Sequence, residues 1–289
     1  MQVLGERAAG SARISERCAK MLEDRLASGE MDLPLLPDVA CKLMSERFDE
    51  ESDVRALSDL IHRDQAMAGH VLRVANSAAY SPTTPIVTLQ QAVTRLGMVT
   101  LKEILLAVAV QNRVFKTPSY AGLAKRLWQA AAGAGAYAKE IARMRRTNVE
   151  GAFLCGLLHD VGKPVVLQTL SEAQRELKEP ACEEAAAAAL ETYHTRAGQL
   201  LAERWALPAL VGEAIVHHHD WMQAQTAAEA AMTASLADAL AAWGNAPEAE
   251  LEQAVRAHPA LAQLNLYPDD VEALLEKRER VQAFVEAFA

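Results

Sequence analysis

The residues of this chain best suited to chemistry are histidines and aspartates in its second half. Five of the eight histidines lie between positions 159 and 219. The densest string is Gly156-Leu157-Leu158-His159-Asp160-Val161-Gly162-Lys163, and His194, His217-His218-His219-Asp220 and Asp238 follow it. An imidazole nitrogen and a carboxylate oxygen from adjacent residues can face one divalent ion, and further ligands can reach it from other helices of a bundle. A second reading uses the same residues. His159 and Asp160 would pair at a helix end, His194 would be a core histidine bonded to a backbone carbonyl, and Asp238 would pair with an arginine. Spacing alone leaves both readings open.

Helices must position these groups, because the composition disfavours anything else. The 289 residues are rich in alanine, a strong helix former and weak strand former, with 14 Gly and 11 Pro. Apolar residues recur at helical spacing, and no period-two pattern or fixed repeat is visible. The spacing predicts a helix over 11–28, helices capped by Asp38, Asp53 and Asp64, and one from Thr88 to Gly97. An apolar helix capped by Thr100 runs to about Phe115 and a long one from Tyr120 to Arg145. Asn148 leads into Gly151–His159, which Gly162 and Pro164 are expected to close. Further helices are predicted over Cys182–Ala206, Val211–His218, Thr226–Trp243 and Pro247–His258. A single final helix carries Val271, Leu274, Leu275, Val281, Phe284, Val285 and Phe288.

Charge and cysteine usage narrow the setting. Net charge is −9 and the isoelectric point about 5.4. Without a Lys/Arg stripe such a chain is poorly suited to neutralising phosphates, which argues against nucleic acid as a partner. Arg143-Met144-Arg145-Arg146 reads as a complement to a helix C-terminus. Cys18, Cys41, Cys155 and Cys182 form no Cys-x-x-Cys pair, which points to reduced thiols and a cytoplasmic setting. The first residues have no apolar signal-peptide core, and Ile104–Val110 is too short to span a membrane. Gly133-Ala134-Gly135 follows no strand, so it is not a phosphate loop. The turn at Arg73-Val74-Ala75-Asn76-Ser77 reads as structural.

Leu157-Leu158-His159-Asp160-Val161-Gly162-Lys163 resembles the signature of the HD superfamily of helical metal-dependent phosphohydrolases. The wider pattern resembles the HDOD family. It runs through Leu33-Pro34-x-Leu36-Pro37, Ile61-x-Arg63-Asp64, Arg73-Val74-Ala75-Asn76-Ser77 and Ala92-Val93-Thr94-Arg95-Leu96-Gly97. It continues through Gly198-x-x-Leu201-Ala202-Glu203-x-Trp205-x-Leu207-Pro208 and Ile215-x-x-His218-His219. The resemblance implies an all-α, multi-helical fold in which an N-terminal helical lobe packs on an HD-type lobe. The expected division is an N-terminal helix at 1–30, an HDOD domain at 31–222 (lobes 31–118 and 119–222), and helices at 223–289 packing on the HD-type lobe.

The resemblance also implies a degenerate site. Asp160, His194, His218 and His219 match the HD-GYP residues that hold one ion. His159 and Asp238 match ligands of the other. The histidine that would complete that other position falls near Ala130, and no histidine lies between His70 and His159. Arg126 stands where HD-GYP enzymes carry a glutamate, and a cation there is expected to repel a metal. Asp220-Trp221-Met222-Gln223 replaces the GYP motif. The expectation is a non-catalytic bacterial signal-transduction or regulatory protein that acts through contacts with other signalling proteins. Its partial site (His159, Asp160, His194, His218, His219, Asp238) would take at most one divalent Fe, Mn, Zn or Ni ion. The alternative is a metal-dependent phosphohydrolase or a cyclic-dinucleotide-binding sensor.

Overall fold

Helical spacing governs the chain throughout. The computed structural model describes residues 14–36, 40–41, 65–80, 84–242 and 247–288, and no strand occurs among them. The helix predicted from Asp53, the Asp64 cap and the Ile61-x-Arg63-Asp64 motif lie outside the described residues, and of the helix predicted from Asp38 only Ala40 and Cys41 are described, both helical. Helix α1 (Glu16–Ser28) starts at Ser15, whose hydroxyl accepts from Cys18 N at 3.1 Å, later than the predicted residue 11. Helix α2 (Gln65–Ala75) buries Met67, Val71 and Val74. Asn76 then clamps the turn, accepting from Ile86 N and donating to Ile86 O, each at 2.7 Å. Its role is thus structural, as the sequence indicated.

Thr88 caps α3 (Leu89–Leu96), accepting from Gln91 N. Thr100 caps nothing: α4 (Met98–Val114) begins two residues before it, at Met98, with Gly97 in the cap position. Gly97 has φ 80°, so the chain reverses in a conformation open to glycine and starts the next helix at once.

Helix α5 (Ala121–Arg145) is the axis of the second half. Helix α6 (Val149–Leu158) packs along it, with Asn148 as cap. Gly162 and Pro164 do not close α6. They open α7 (Gly162–Leu177), after a turn of only His159, Asp160 and Val161. Pro164 fits there because the first turn of a helix leaves its amides unbonded in any case. Helix α7, for which the sequence raised no expectation, buries Val165, Val166, Leu167 and Leu170.

Helix α8 (Glu183–Arg204) runs back against α7, and Pro208 starts α9 (Ala209–His217) rather than ending α8. Helix α10 (Ala228–Ala241) lies on α5 and α6. Next come α11 (Glu248–Arg256), the short α12 (Ala260–Gln263) and α13 (Pro268–Leu275). The single final helix expected from the sequence is two: α13 stops at Leu275 and α14 runs from Arg278 to Glu286. The break still keeps Val271, Leu274 and Val281 in one cluster with Tyr137 and Ile141 of α5.

The N-terminal lobe packs on the HD-type lobe where α4 touches α6, and the N-terminal helix α1 lies on α7. Trp205 donates its indole N–H to Pro34 O at 2.7 Å, tying the Leu-Pro loop to the end of α8. No described helix is long and apolar enough to cross a membrane.

Candidate metal centre

Three helices and one turn bring all six sequence-predicted residues together. His159 and Asp160 sit in the turn between α6 and α7. His194 lies midway along α8, His218 and His219 follow the end of α9, and Asp238 lies on α10. His159, Asp160, His194 and His218 are buried, whereas His219 is exposed and Asp238 keeps a third of its side chain exposed. His217, next in the run, is not part of the cluster.

The backbone fixes the tautomers. His159 Nδ1 lies 2.8 Å from Gly156 O and His194 Nδ1 2.7 Å from Leu190 O. His218 Nδ1 lies 3.0 Å from Ile215 O. A carbonyl can only accept, so each Nδ1 carries the proton and donates it. Each Nε2 then points inward, and where the ring is neutral it offers a lone pair. Metal-bound histidines are oriented in this way.

Asp160 divides the cluster into two sides. Its Oδ1 lies 3.6 Å from His194 Nε2 and 3.5 Å from His218 Nε2. His194 Nε2 in turn lies 3.4 Å from His218 Nε2 and 3.0 Å from His219 Nε2. On the other side, His159 Nε2 is 3.4 Å from both Asp160 Oδ2 and Asp238 Oδ1. Lys163 Nζ also meets Asp160 Oδ2, at 2.5 Å.

These spacings fit a bound ion. Two ligand atoms each ~2.1 Å from a common metal stand roughly 3.0 Å apart at right angles and roughly 3.4 Å apart in a tetrahedron. The contacts around Asp160 Oδ1 fall close to this range. Asp160 Oδ1 and His159 Nε2 are buried without a hydrogen-bond partner. A carboxylate oxygen facing two imidazole lone pairs is repulsive unless a cation sits among them. Two overlapping groups have ligand atoms close enough for one ion, His194 with His218 and His219, and His159 with Asp160 and His218, and imidazole-rich sets of this kind suit a borderline transition-metal ion.

The electrostatics agree. Burial, then the charge at His159, pushes His218 down to about 3, which keeps it a neutral ligand. Burial also holds His194 below its ordinary value. Asp160 resists burial because His159, Lys163 and His218 together hold its carboxyl well below the usual range. His159 goes the other way: burial lowers it, but Asp160 and Asp238 outweigh that and push it up to about 10. The two sides of Asp160 therefore differ, with His194 and His218 held neutral on one and a charged cluster on the other.

Arg126 requires a correction. It does not face the centre but pairs at 2.6 Å with Glu183, both more than half exposed, so it cannot repel an ion there. Sequence alone assigns Lys163 no role, although its place three residues after Asp160, at the start of a helix, allows the contact.

An all-helical protein with a histidine-rich, carboxylate-bridged centre of this kind falls within the HD-type helical proteins. The HDOD domain model matches residues 33–221, and the chain belongs to that family. A Treponema pallidum (strain Nichols) protein, named only as uncharacterized, is 30% identical over 206 residues, which make up 65% of this chain and 38% of that protein. The chain thus spans about two-fifths of that relative's length. An HDOD domain protein of unknown function from Geobacter sulfurreducens has the same fold, with a TM-score of 0.70 at 23% identity, covering 94% of this chain and 98% of its own. A Shewanella amazonensis SB2B protein, a phosphohydrolase by name only, has a TM-score of 0.66 at 25% identity, covering 93% and 98%. A Marinobacter aquaeolei VT8 protein, a signal transduction protein by name only, has a TM-score of 0.62 at 21% identity, covering 96% and 62%.

Proposed function

We propose that this chain is a non-catalytic regulatory protein of bacterial signal transduction, working in the cytoplasm through contacts with other signalling proteins. It would use its centre to hold one divalent ion. The observation that carries this reading is the asymmetry about Asp160. On one side His194 Nε2 lies within 3.6 Å of Asp160 Oδ1, His218 Nε2 and His219 Nε2. The other side has only three protein donors, Asp160 Oδ2, His159 and Asp238, and Ala130 supplies no fourth. Phosphodiester hydrolysis in two-metal sites relies on a pair of ions that polarise the phosphate and the attacking water.

When bound, the ion would supply positive charge at the junction of α6–α7, α8 and α9. Its ligands come from three separate stretches of chain, so binding would tie those helices together. A regulatory partner could then read the state of that junction. The deciding experiment is elemental analysis of untagged protein, followed by incubation with cyclic di-GMP and added Mn²⁺ or Fe²⁺. One ion per chain and no turnover above a metal-free control is the expected result. Hydrolysis that disappears in His159→Ala would instead make the chain a phosphohydrolase.

A further inference from the structure

A second cluster of charged groups, sharing no residue with the metal centre, lines a cavity where the N-terminal lobe, α5 and the C-terminal helix meet. The lobe contributes Tyr80, beyond α2, and Glu103 on α4. Helix α5 contributes Lys139, Glu140 and Arg143, and the chain end contributes Lys277 and Arg280. Phe153 and Phe284, both buried, supply an apolar wall. Four cations and two carboxylates thus line the cavity, in a chain whose net charge is −9. Lys139 is bonded to Glu103 Oε2 and Arg143 to Glu140. Among the described residues, Lys277 and Arg280 form no ion pair, although their neighbour Arg278 pairs with Glu248.

Glu103 makes the site specific. It is only 5% exposed, and its Oε1 is buried without a hydrogen-bond partner. A buried carboxylate oxygen left unanswered is costly, so a ligand donor there is favoured. The two unpaired cations call for the opposite character, an anion. Burial raises Tyr80 above its ordinary value, so its hydroxyl keeps its proton and can donate to that anion as well. The cavity holds about 60 Å³. That is room for roughly four to six water-sized positions, which suits a short acid and excludes a nucleotide. We propose that this cavity is an effector site for a small organic diacid that also carries a hydroxyl or amino group. Its carboxylates meet Lys277, Arg280 and Tyr80, its hydroxyl or amino group donates to Glu103 Oε1, and its carbon chain lies against Phe153 and Phe284. Occupancy fastens α14 to the N-terminal lobe, which gives the chain an input that does not depend on the one-ion reading.

Titration calorimetry of the full chain tests this with L-malate, L-aspartate, succinate and inorganic phosphate. Malate carries the hydroxyl, aspartate the amino group, and succinate neither. The expected result is one malate or aspartate per chain, with succinate at least about tenfold weaker, since it leaves Glu103 Oε1 without a donor. Arg280 is exposed and outside any ion pair among the described residues, so Arg280→Ala should keep the ligand-free melting curve. It should nevertheless weaken the better ligand at least about tenfold. Binding should also survive removal of metal by EDTA and dialysis, which separates this site from the metal centre. Several results would overturn the proposal: no binding of malate or aspartate, succinate or phosphate binding as tightly as either, an unchanged affinity in Arg280→Ala, or loss of binding with the metal.

Discussion

Gly162→Ala should loosen the centre without touching a ligand. A Cβ on Gly162 would lie 1.9 Å from His194 O, 2.5 Å from Gly198 N and 2.9 Å from His194 C. All three are backbone atoms, so no side chain can rotate away. Restoring ordinary contact requires α7 to move off α8 by more than about 1 Å. Overpacking of this kind costs about 1–3 kcal/mol, and a backbone clash belongs at the upper end. For a chain of this size, about 3 kcal/mol corresponds to a fall in Tm of about 6–12 °C. The same displacement would pull His194 from Asp160, now 3.6 Å apart, and should weaken metal binding by at least about tenfold. Gly69→Ala and Gly212→Ala provide the controls. A methyl group added at either position would meet nothing within 4 Å, and both sites are inside helices. Each should stabilise by about 0.5–1 kcal/mol. Denaturant unfolding and metal titration of the three variants decide the matter. If Gly162→Ala matches the controls in stability and in Kd, the helix contact does not set the ligand geometry and the reasoning fails.

Metal removal should show in stability: an ion at a hundredfold excess over its Kd adds about 2.7 kcal/mol. Chelation with EDTA should therefore lower Tm, and an unchanged melting curve would rule out the bound ion. His218→Ala should abolish that EDTA response, because His218 lies among the Asp160 and His194 donors. A persisting response would place the ion elsewhere. Glu103, buried and paired with Lys139, should give a pH signature. Burial raises its carboxyl despite Lys139, so the folded chain binds the proton more tightly than the unfolded one. Its contribution is thus present at low pH and is lost as pH rises from the unfolded to the raised folded value. Glu103→Gln should flatten that decline in urea midpoints measured across the acid range, and an identical slope in both proteins would refute it.

The architecture was legible where a local signal existed. Thr88 and Asn148 mark helix starts because each cap acts within a few residues, whereas Pro208 could equally end one helix or start the next. The misses have an equally local cause. Gly162 and Pro164 read as a stop, since glycine after a helix usually ends it and proline rarely continues it. Here the same pair is the first turn of α7, and only the backbone of α8, seen in three dimensions, shows why a glycine is needed. Leu275 and Val281 belong to one apolar stripe, which hides the break between α13 and α14. At the centre, residue types and motif order name the six ligand candidates. They give no sign that Arg126 turns outward to Glu183 or that Lys163 turns inward to Asp160. A charged side chain's direction depends on which carboxylate lies nearer in space, and sequence carries little of that information.

The centre also shows why its polar residues belong together. A buried carboxylate is tolerated only when its charge is answered. Asp160 is answered on Oδ2 by Lys163, and beyond it by His159. Its Oδ1 has no hydrogen-bond partner and faces His194 and His218, whose Nδ1 protons are committed to Leu190 and Ala214 or Ile215. A neutral imidazole with its proton spent elsewhere cannot donate to that oxygen. Protonating His218 to provide a donor is disfavoured by burial and by the charge at His159, which hold it at about 3. Protonating Asp160 is opposed by the cations on its other side. A metal cation placed among them would satisfy the oxygen and the two lone pairs at once. Lys163 on one side and an ion on the other would thus answer a single carboxylate.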